Sequence, residues 1–234
     1  MGQKVNPISF RMGNTFTWKS RWFSTAKQYS ARVLEDFKLR KYLDEKLSNA
    51  GLVQTEIERS LTTIKIVLHV ARPGVVIGRG GGNLEIIKKE VERILNVSKL
   101  KKDKIKVDLR VEEVREPDLS ARLIAERIAE QIMKRYPHRR AVSQALEKSM
   151  TAGAKGIKIS LSGRIAGAEI ARNEKYAKGS VPTQTLRANV DYYHKAALTR
   201  SGYVGIKVWI NRGEILREKD TRKREKRDDK YATA

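Results

Sequence analysis

The chain has 234 residues, 50 of them Lys or Arg against 27 Asp or Glu, so its formal net charge is +23. The 40% share of hydrophobic residues can bury a core, which excludes disorder throughout, and the positive excess predicts a polyanionic partner such as nucleic acid. Cysteine is absent, which excludes disulfide scaffolds, thiolate zinc sites and cysteine nucleophiles.

Residues 1–38 are predicted to form a basic, aromatic N-terminal arm. Residues 1–34 contain six basic residues and no acidic one, with three of the four Phe and two of the three Trp. Gly, Pro and small polar residues interrupt any regular pattern, so we expect an extended arm in which Lys4, Arg11 and Trp22 contact RNA. Two alternatives stay open, because the aromatic rings can also insert into a partner protein or pack under the following domain.

Residues 39–115 are predicted to form the first domain. A helix is expected from Ala31, with one buried face formed by Val33, Leu34, Phe37, Leu39, Leu43 and Leu47. Alternating hydrophobicity then predicts strands over residues 53–59 and 63–70. A short apolar turn, an amphipathic helix from Leu84 to Leu95 and a third strand complete the domain.

The cluster Gly78-Arg79-Gly80-Gly81 stands between that turn and that helix. Glycines let backbone N–H groups approach a phosphate next to a helix N-terminus. The Rossmann pattern fails because Asn83 stands where its third Gly would be, and the Walker pattern fails because no Lys-Ser/Thr pair follows. A plain tight turn is the alternative. The order of elements matches a type II KH domain, which favours a clamp on single-stranded RNA.

The sequence pattern in the second half of the chain predicts a linking helix and a second α+β domain. Residues 116–137 form the linking helix, with Asp118 as its cap and a near-neutral charge. In residues 138–216 we expect a helix, a strand, an irregular basic stretch over residues 164–182 and two longer strands. Residues 217–234 are a charged tail, either a solvated helix or disordered. The predicted fold class is therefore α+β.

Four sequence blocks resemble the bacterial ribosomal small-subunit protein S-three family, whose members contain a type II KH domain. They are MGQKVNPISFRMG, ARPGVVIGRGG, AGAKGIKISLSGRIAGAEIAR and VGIKVWINRGEIL, in the family's order across residues 1–216. The resemblance implies a structural protein of the small-subunit head, cytoplasmic in the ribosome, which binds ribosomal RNA and lines the channel where mRNA enters. It also implies contact with small-subunit proteins ten and fourteen, with two, four and five nearby.

Arg139 and Arg140 match the family's channel arginines, which grip incoming mRNA and help to open its duplexes. The residues support this independently, because guanidinium groups at a helix start can hold phosphates bidentately. A solvated helix face is the alternative. Ser143 stands where many relatives carry a cation one turn later, and Lys148 is too far along the helix to replace it. The grip is therefore predicted to be weaker here.

Other basic residues are candidates for RNA contact. Within the irregular stretch, Gly and Ala residues suit close approach to ribosomal RNA, and the candidates there are Arg164, Arg172, Lys175 and Lys178. Relatives often carry two basic residues in the clamp, whereas here only Arg79 is basic. Lys88 and Lys89 in the helix are candidates to compensate. So is the run Lys99, Lys101, Lys102 and Lys104, for which a solvated loop is an equal alternative.

Catalysis finds no support in the sequence. His69, His138 and His194 have no ligand spacing, and the carboxylates mostly stand beside Lys or Arg. We therefore expect no catalytic residue, no metal site, no cofactor and no enzyme. No run approaches roughly 18 apolar residues, and no signal-peptide block opens the chain, so we expect no membrane partner. A free KH-domain mRNA-binding regulator is the rival function, but it would need only residues 39–115.

Overall fold

The computed structural model describes residues 3–60, 62–95 and 106–215. Its contacts divide the chain into two units, of which the central unit is Trp18–Pro117 and the terminal unit is Met1–Thr17 with Asp118–Ala234. Residues 1–38, which the sequence suggests are one arm, are thus shared between the two units. The expected α+β class is confirmed, since each unit combines helices with a four-stranded sheet.

The central unit packs two long helices and one short helix on a sheet of order β1-β2-β3-β4. In chain order its elements are β1 (Ser20–Arg21), α2 (Ala26–Lys46), β2 (Leu52–Arg59), β3 (Thr63–Val70), α3 (Pro73–Ile77), α4 (Gly82–Ile94) and β4 (Lys106–Glu113). Strand β2 is antiparallel to β3. Strand β1 pairs in parallel with β2, and β4 pairs in parallel with β3. The alternating residues Ile64, Ile66, Leu68 and Val70 are buried, as predicted.

Helix α2 differs from the prediction at its start. It begins at Ala26 rather than Ala31, and its buried stripe runs through Asp36, Leu39 and Leu43. Leu34 and Phe37 lie off this stripe and are 58% and 65% exposed. The prediction that they are buried was wrong, because the sheet meets a different face of the helix.

The terminal unit has helices on an antiparallel sheet of order β6-β5-β8-β7. Its elements are α1 (Pro7–Phe10), α5 (Ala121–Met133), α6 (His138–Thr151), β5 (Gly156–Gly163), β6 (Arg172–Gly179), β7 (Ala188–Thr199) and β8 (Gly202–Glu214). The core includes Ile124 and Ile128 of α5 and the alternating residues Ile157, Ile159 and Leu161 of β5. The sequence predicts an irregular stretch over residues 164–182. The structure differs, because these residues contain the edge strand β6.

Helix α5 starts differently from the prediction. Asp118 lies in a short 3₁₀ turn before the helix and pairs with Arg127, whose Nη1 is 2.8 Å from Asp118 Oδ1. The backbone N–H of Ala121 instead donates to Asp191 Oδ2 at 2.9 Å. Asp118 is therefore not the cap, because a carboxylate from β7 takes that place.

The first described residues are not an extended arm. Asn6 caps α1 by accepting a hydrogen bond from the N–H of Ile8, with an N–O distance of 2.9 Å. Helix α1 packs against β7 of the terminal unit. These contacts fold the segment onto the sheet, so the expectation of an extended arm was wrong for this part of the chain.

Candidate nucleic-acid interface

The glycine cluster forms a loop between α3 and α4 whose backbone is largely left-handed. Gly78, Gly80 and Gly81 have φ values of 71°, 63° and 80°, a region that favours glycine. A Cβ on Gly78 would also lie 2.7 Å from the Cβ of Asn83. Both the conformation and the close approach therefore require glycine here.

This loop leaves the N-terminus of α4 open. The cap residue Gly81 supplies no side-chain hydrogen bond to the helix. A Cβ on Gly80, Gly81 or Gly82 would meet no heavy atom within 4 Å, so the space around the loop is free. The N–H of Gly82 bonds the carbonyl of Arg79, but the helix dipole still favours an anion at this end, and the exposed Arg79 side chain adds a cation. The arrangement suits an RNA phosphate.

Exposed apolar side chains flank this loop, and sequence reasoning did not single them out. Val75 and Ile77 of α3 are 47% and 41% exposed, and Ile86 of α4 is 60% exposed. Helix α3 has only five residues and buries Val76, so its neighbours in the apolar run remain at the surface. Apolar surface beside a phosphate site suits unstacked bases. The signal in the sequence is the apolar run Val75-Val76-Ile77, because a helix this short cannot bury all three side chains.

The basic residues after the loop are only partly described. Lys89 of α4 is exposed and Lys88 is half-buried, so both can reach solvent close to the loop. The predicted run Lys99, Lys101, Lys102 and Lys104 lies outside the described residues.

Arg139 and Arg140 are the second and third residues of α6, and both are exposed. Pro137 precedes the helix, and no side chain caps it. Ser143 is also exposed one turn later, so that position adds no charge. The start of α6 therefore presents two guanidinium groups next to unpaired backbone N–H groups, which together attract phosphate.

Glu174 of β6 organises the residues around the start of α6. Its Oε2 accepts a 2.6 Å hydrogen bond from Tyr176 Oη and lies 3.1 Å from His138 Nε2, while its Oε1 lies 3.5 Å from Arg172 Nε. The hydrogen bond from Tyr176, helped by His138 and Arg172 and opposed by burial, lowers the pKa of Glu174. Burial and Glu174 raise the pKa of Tyr176, and the nearby Arg139 opposes this rise. This cluster ties the helix start to the edge strand.

The structure does not gather the other predicted basic residues on one surface. Arg164 follows β5 and donates from Nε to the carbonyl of Ala168 at 2.8 Å. In the register of β6 with β5, Arg172 and Lys178 lie on one face of the sheet and Lys175 on the other. Lys175 and Lys178 are exposed, whereas Arg172 pairs with Glu174. The stretch therefore offers cations on two faces.

The N-terminal candidates have different environments. Arg11 is fully buried and donates to backbone carbonyls of the terminal unit, so the prediction that it contacts RNA was wrong. Trp22 is half-buried, and its Nε1–H donates to Asp36 Oδ2 at 2.9 Å. The guanidinium carbon of Arg59 lies 5.8 Å from the centroid of its ring, so Trp22 packs against the following domain, which was the alternative prediction. Lys4 is exposed.

The described ranges contain no group of three or more His, Cys, Asp or Glu side chains arranged to hold a metal ion. His69 lies on the sheet face, as predicted, between Glu56 and Glu112 at 3.4 and 3.6 Å. Among the described helices, none combines the length and the apolar character that crossing a membrane requires.

Comparisons with known proteins agree with this architecture. Two family models match the chain: "KH domain" over residues 38–119 and "Ribosomal protein S3, C-terminal domain" over residues 128–210. The chain is 45% identical over 219 residues to small ribosomal subunit protein uS3 of Caldicellulosiruptor bescii, covering 94% of this chain and 96% of that protein.

Two further relatives with the same name show the same extent of similarity. The protein of Caldanaerobacter subterraneus subsp. tengcongensis is 49% identical over 216 residues, which is 92% of this chain and 94% of the relative. That of Desulforudis audaxviator is 45% identical over 222 residues, which is 95% of this chain and 98% of the relative. The resemblance seen in the four sequence blocks is confirmed, and the chain belongs to the small ribosomal subunit protein uS3 family.

Proposed function

We propose that the chain is a structural, RNA-binding constituent of the small-subunit head of cytoplasmic ribosomes and lines the channel through which mRNA enters. The observation that carries the proposal is the exposed pair Arg139 and Arg140 at the start of α6. Two further observations support the proposal: the chain has a net charge of +23, and its relatives are named as small-ribosomal-subunit proteins. The role is structural and not enzymatic, as it is for this family.

The KH domain, proposed over residues 39–115, binds RNA through the loop from Gly78 to Gly81. The open N-terminus of α4 and Arg79 hold a phosphate, while Lys88 and Lys89 add positive charge further along the helix. The exposed apolar side chains of α3 and α4 contact the bases. Backbone contacts of this kind position the protein on ribosomal RNA.

Changing both Gly80 and Gly81 to Asp is expected to weaken RNA binding by about a hundredfold, because juxtaposed like charges cost several kcal/mol. Asp accepts a positive φ better than most residues, so the loop keeps its shape. Fluorescence anisotropy with a labelled single-stranded RNA at fixed salt measures the affinity. The matched control changes both glycines to Asn, which has the same size and no charge. Equal affinities of the two variants would contradict phosphate binding at this loop.

Arg139 and Arg140 grip one strand of the incoming message. Their guanidinium groups bind phosphates bidentately, and the Glu174 cluster fixes the helix start that carries them. A grip on one strand biases a duplex towards opening as the ribosome advances. The uncharged Ser143 limits this grip to two cations on the first turn of α6.

Changing Arg139 and Arg140 to Ala is expected to slow translation of a structured mRNA roughly fivefold, the effect of losing about 1 kcal/mol of strand binding. An unstructured mRNA should be translated nearly as before. Single-template translation assays measure both rates. Gradient sedimentation of the lysate checks incorporation, and a chain that stays at the top, away from small subunits, would contradict the ribosomal role itself.

The control removes two other exposed cations of the same unit, Lys148 and Lys155, by changing both to Ala. This variant has the same net charge as the arginine variant and should translate both templates at the normal rate. Equal slowing of the two templates by the arginine variant would favour plain RNA anchoring over a role in duplex opening.

The remaining candidates extend the contact with ribosomal RNA. Arg172 and Lys178 lie on the side of the terminal sheet that α5 and α6 cover, Lys175 lies on the opposite face, and Arg164 lies in the loop after β5. Lys4 contributes from the exposed start of the chain.

Protein neighbours contact the exposed apolar face of α2. Tyr29, Leu34 and Phe37 are all more than half exposed there, and Phe23 just before the helix is 89% exposed. Apolar surface of this extent marks protein interaction sites. We assign this face to small-subunit proteins ten and fourteen, with proteins two, four and five nearby.

A further inference from the structure

The terminal unit contains a cavity of whose lining the proposed contacts use only Arg164. It has a volume of about 600 Å³ and lies between the end of α5, the loop after β5 and the turn that joins β7 to β8. A Cβ on Gly167 in that loop would lie 3.5 Å from Ser201 Oγ in that turn, so these two walls are close together. Cavities of this size hold small ligands and nucleotides.

The lining combines an apolar surface with a strongly positive charge. Met133 and Leu198 give apolar surface, being 48% and 58% exposed, and Tyr136 at the wall is 44% exposed. Three arginines also line the cavity, Arg135, Arg164 and Arg200, and the lining includes no Asp or Glu. Such a lining favours a ligand that is flat and apolar on one side and anionic on the other.

Two of these arginines are free to bind a ligand. Within the described ranges neither Arg135 nor Arg200 makes a side-chain hydrogen bond or an ion pair, and both are exposed. Arg164 has one hydrogen bond, from Nε to the carbonyl of Ala168, which leaves its terminal nitrogens available. Their donors can therefore bind an anion without breaking an internal ion pair.

The backbone supplies an independent observation. Only two non-glycine residues of the described chain have a positive φ, Arg135 at 58° and Ala166 at 55°, and both line this cavity. Arg135 directly follows the last turn of α5, and the next N–H, that of Tyr136, bonds the carbonyl of Gln131. In this type of helix end the position that Arg135 occupies is usually glycine. Strained positions of this kind cluster at ligand sites.

We infer that this cavity binds one unstacked nucleotide of single-stranded RNA. The base lies against Tyr136 and the apolar residues, and its flanking phosphates bind Arg135 and Arg200. An apolar side chain of a protein would fit the walls but would leave three guanidinium groups without a counter-charge. The inference rests on the proposed RNA-binding function and adds a base-binding site that is lined by His138, the residue before Arg139, and is separate from the KH loop.

Two glycine variants of the full-length chain test this site. Both Arg135→Gly and Ala166→Gly relieve a left-handed residue, so neither should lower the midpoint of thermal unfolding. Only Arg135→Gly removes a cation. Its affinity for a fluorescein-labelled nine-nucleotide RNA should fall about tenfold, and the slope of log affinity against log salt should fall by about 0.7. Ala166→Gly should bind like the unaltered chain.

The contribution of the base is tested separately. An abasic site scanned through the nine-nucleotide RNA should weaken binding at one position, and Tyr136→Leu should abolish that difference while leaving the phosphate-dependent salt slope unchanged. If no abasic position matters, the cavity does not hold a base and the inference is wrong.

The remaining outcomes separate the inference from its premise and from its alternatives. Failure of the unaltered chain to bind RNA would overturn the proposed function as well. Normal binding by Arg135→Gly would overturn the cavity site alone, and loss of a neighbouring protein from subunits with that variant would assign the cavity to a protein side chain. Chemical probing of subunits without mRNA identifies the source, since a newly reactive ribosomal nucleotide in Arg135→Gly, and not in Ala166→Gly, indicates ribosomal RNA.

Discussion

Changing Arg11 to Ala is expected to lower the free energy of unfolding of the terminal unit by about 4 kcal/mol, because several buried carbonyl groups lose their donors together. The Arg11 side chain is fully buried, and its guanidinium bonds carbonyls of Pro7 and of residues 182–188. The acceptors are the carbonyls of Ala188 at 2.7 Å, Thr185 at 2.9 Å, Pro7 and Thr183 at 3.0 Å, and Pro182 at 3.2 Å.

Urea unfolding measures this loss, and limited proteolysis should show cleavage within residues 3–17 that the unaltered protein resists. Arg11→Lys should recover only part of the stability, since an ammonium group has three donors and lacks the planar fork that spans these carbonyls. Lys4→Ala, which removes an exposed cation from the same segment, should leave unfolding unchanged. An Arg11→Ala protein as stable as the unaltered chain would contradict the anchoring role.

Changing Asp36 to Ala is expected to lower the stability of the central unit by about 3 kcal/mol, because the buried Arg59 loses one of its two carboxylate partners and keeps only Glu35, at 2.8 Å. Asp36 and Arg59 form an ion pair in which the side chains are only 8% and 7% exposed. The same carboxylate accepts hydrogen bonds from Trp22 Nε1 at 2.9 Å and Ser20 Oγ at 3.3 Å. Its loss therefore also leaves these two donors without their acceptor.

Urea denaturation again measures the change, with Glu45→Ala as the control, which removes an exposed carboxylate from the same helix. A double variant sharpens the test. Replacing Asp36 by Leu and Arg59 by Met should recover part of the lost stability, because two apolar side chains need no counter-charge, although Trp22 and Ser20 still lack their acceptor and Glu35 loses its partner. If the single and double variants are equally unstable, packing rather than the unpaired charge determines the loss.

The sequence predicts those helices and strands in which apolar side chains recur on one face and pack into a core. The strands with Ile64, Ile66 and Leu68, and with Ile157 and Ile159, were found because one face of each is continuously apolar. The edge strand β6 was missed, since it carries charged residues along both faces and its pattern does not differ from that of a basic loop.

The parts of the candidate site that depend on residues adjacent in the sequence could be predicted. Glycines at positive φ before a helix are visible in the sequence, and so are paired arginines after a proline. The burial of Arg11 was not visible, because its partners lie 171 to 177 residues away, except for Pro7. The left-handed conformation of Arg135 was also hidden, since the residue type there gives no sign of the backbone that it adopts.

The buried contact of Arg11 with the carbonyl of Ala188 has a consequence for the newly made chain. The two residues are 177 positions apart, so at usual synthesis rates the N-terminal segment waits roughly 10 to 35 s for its binding site to be made. During that interval the whole of Trp18–Pro117 is synthesised with all its own sheet partners. The central unit can thus fold first, while the opening residues remain unpaired until the end of synthesis closes the terminal sheet around them.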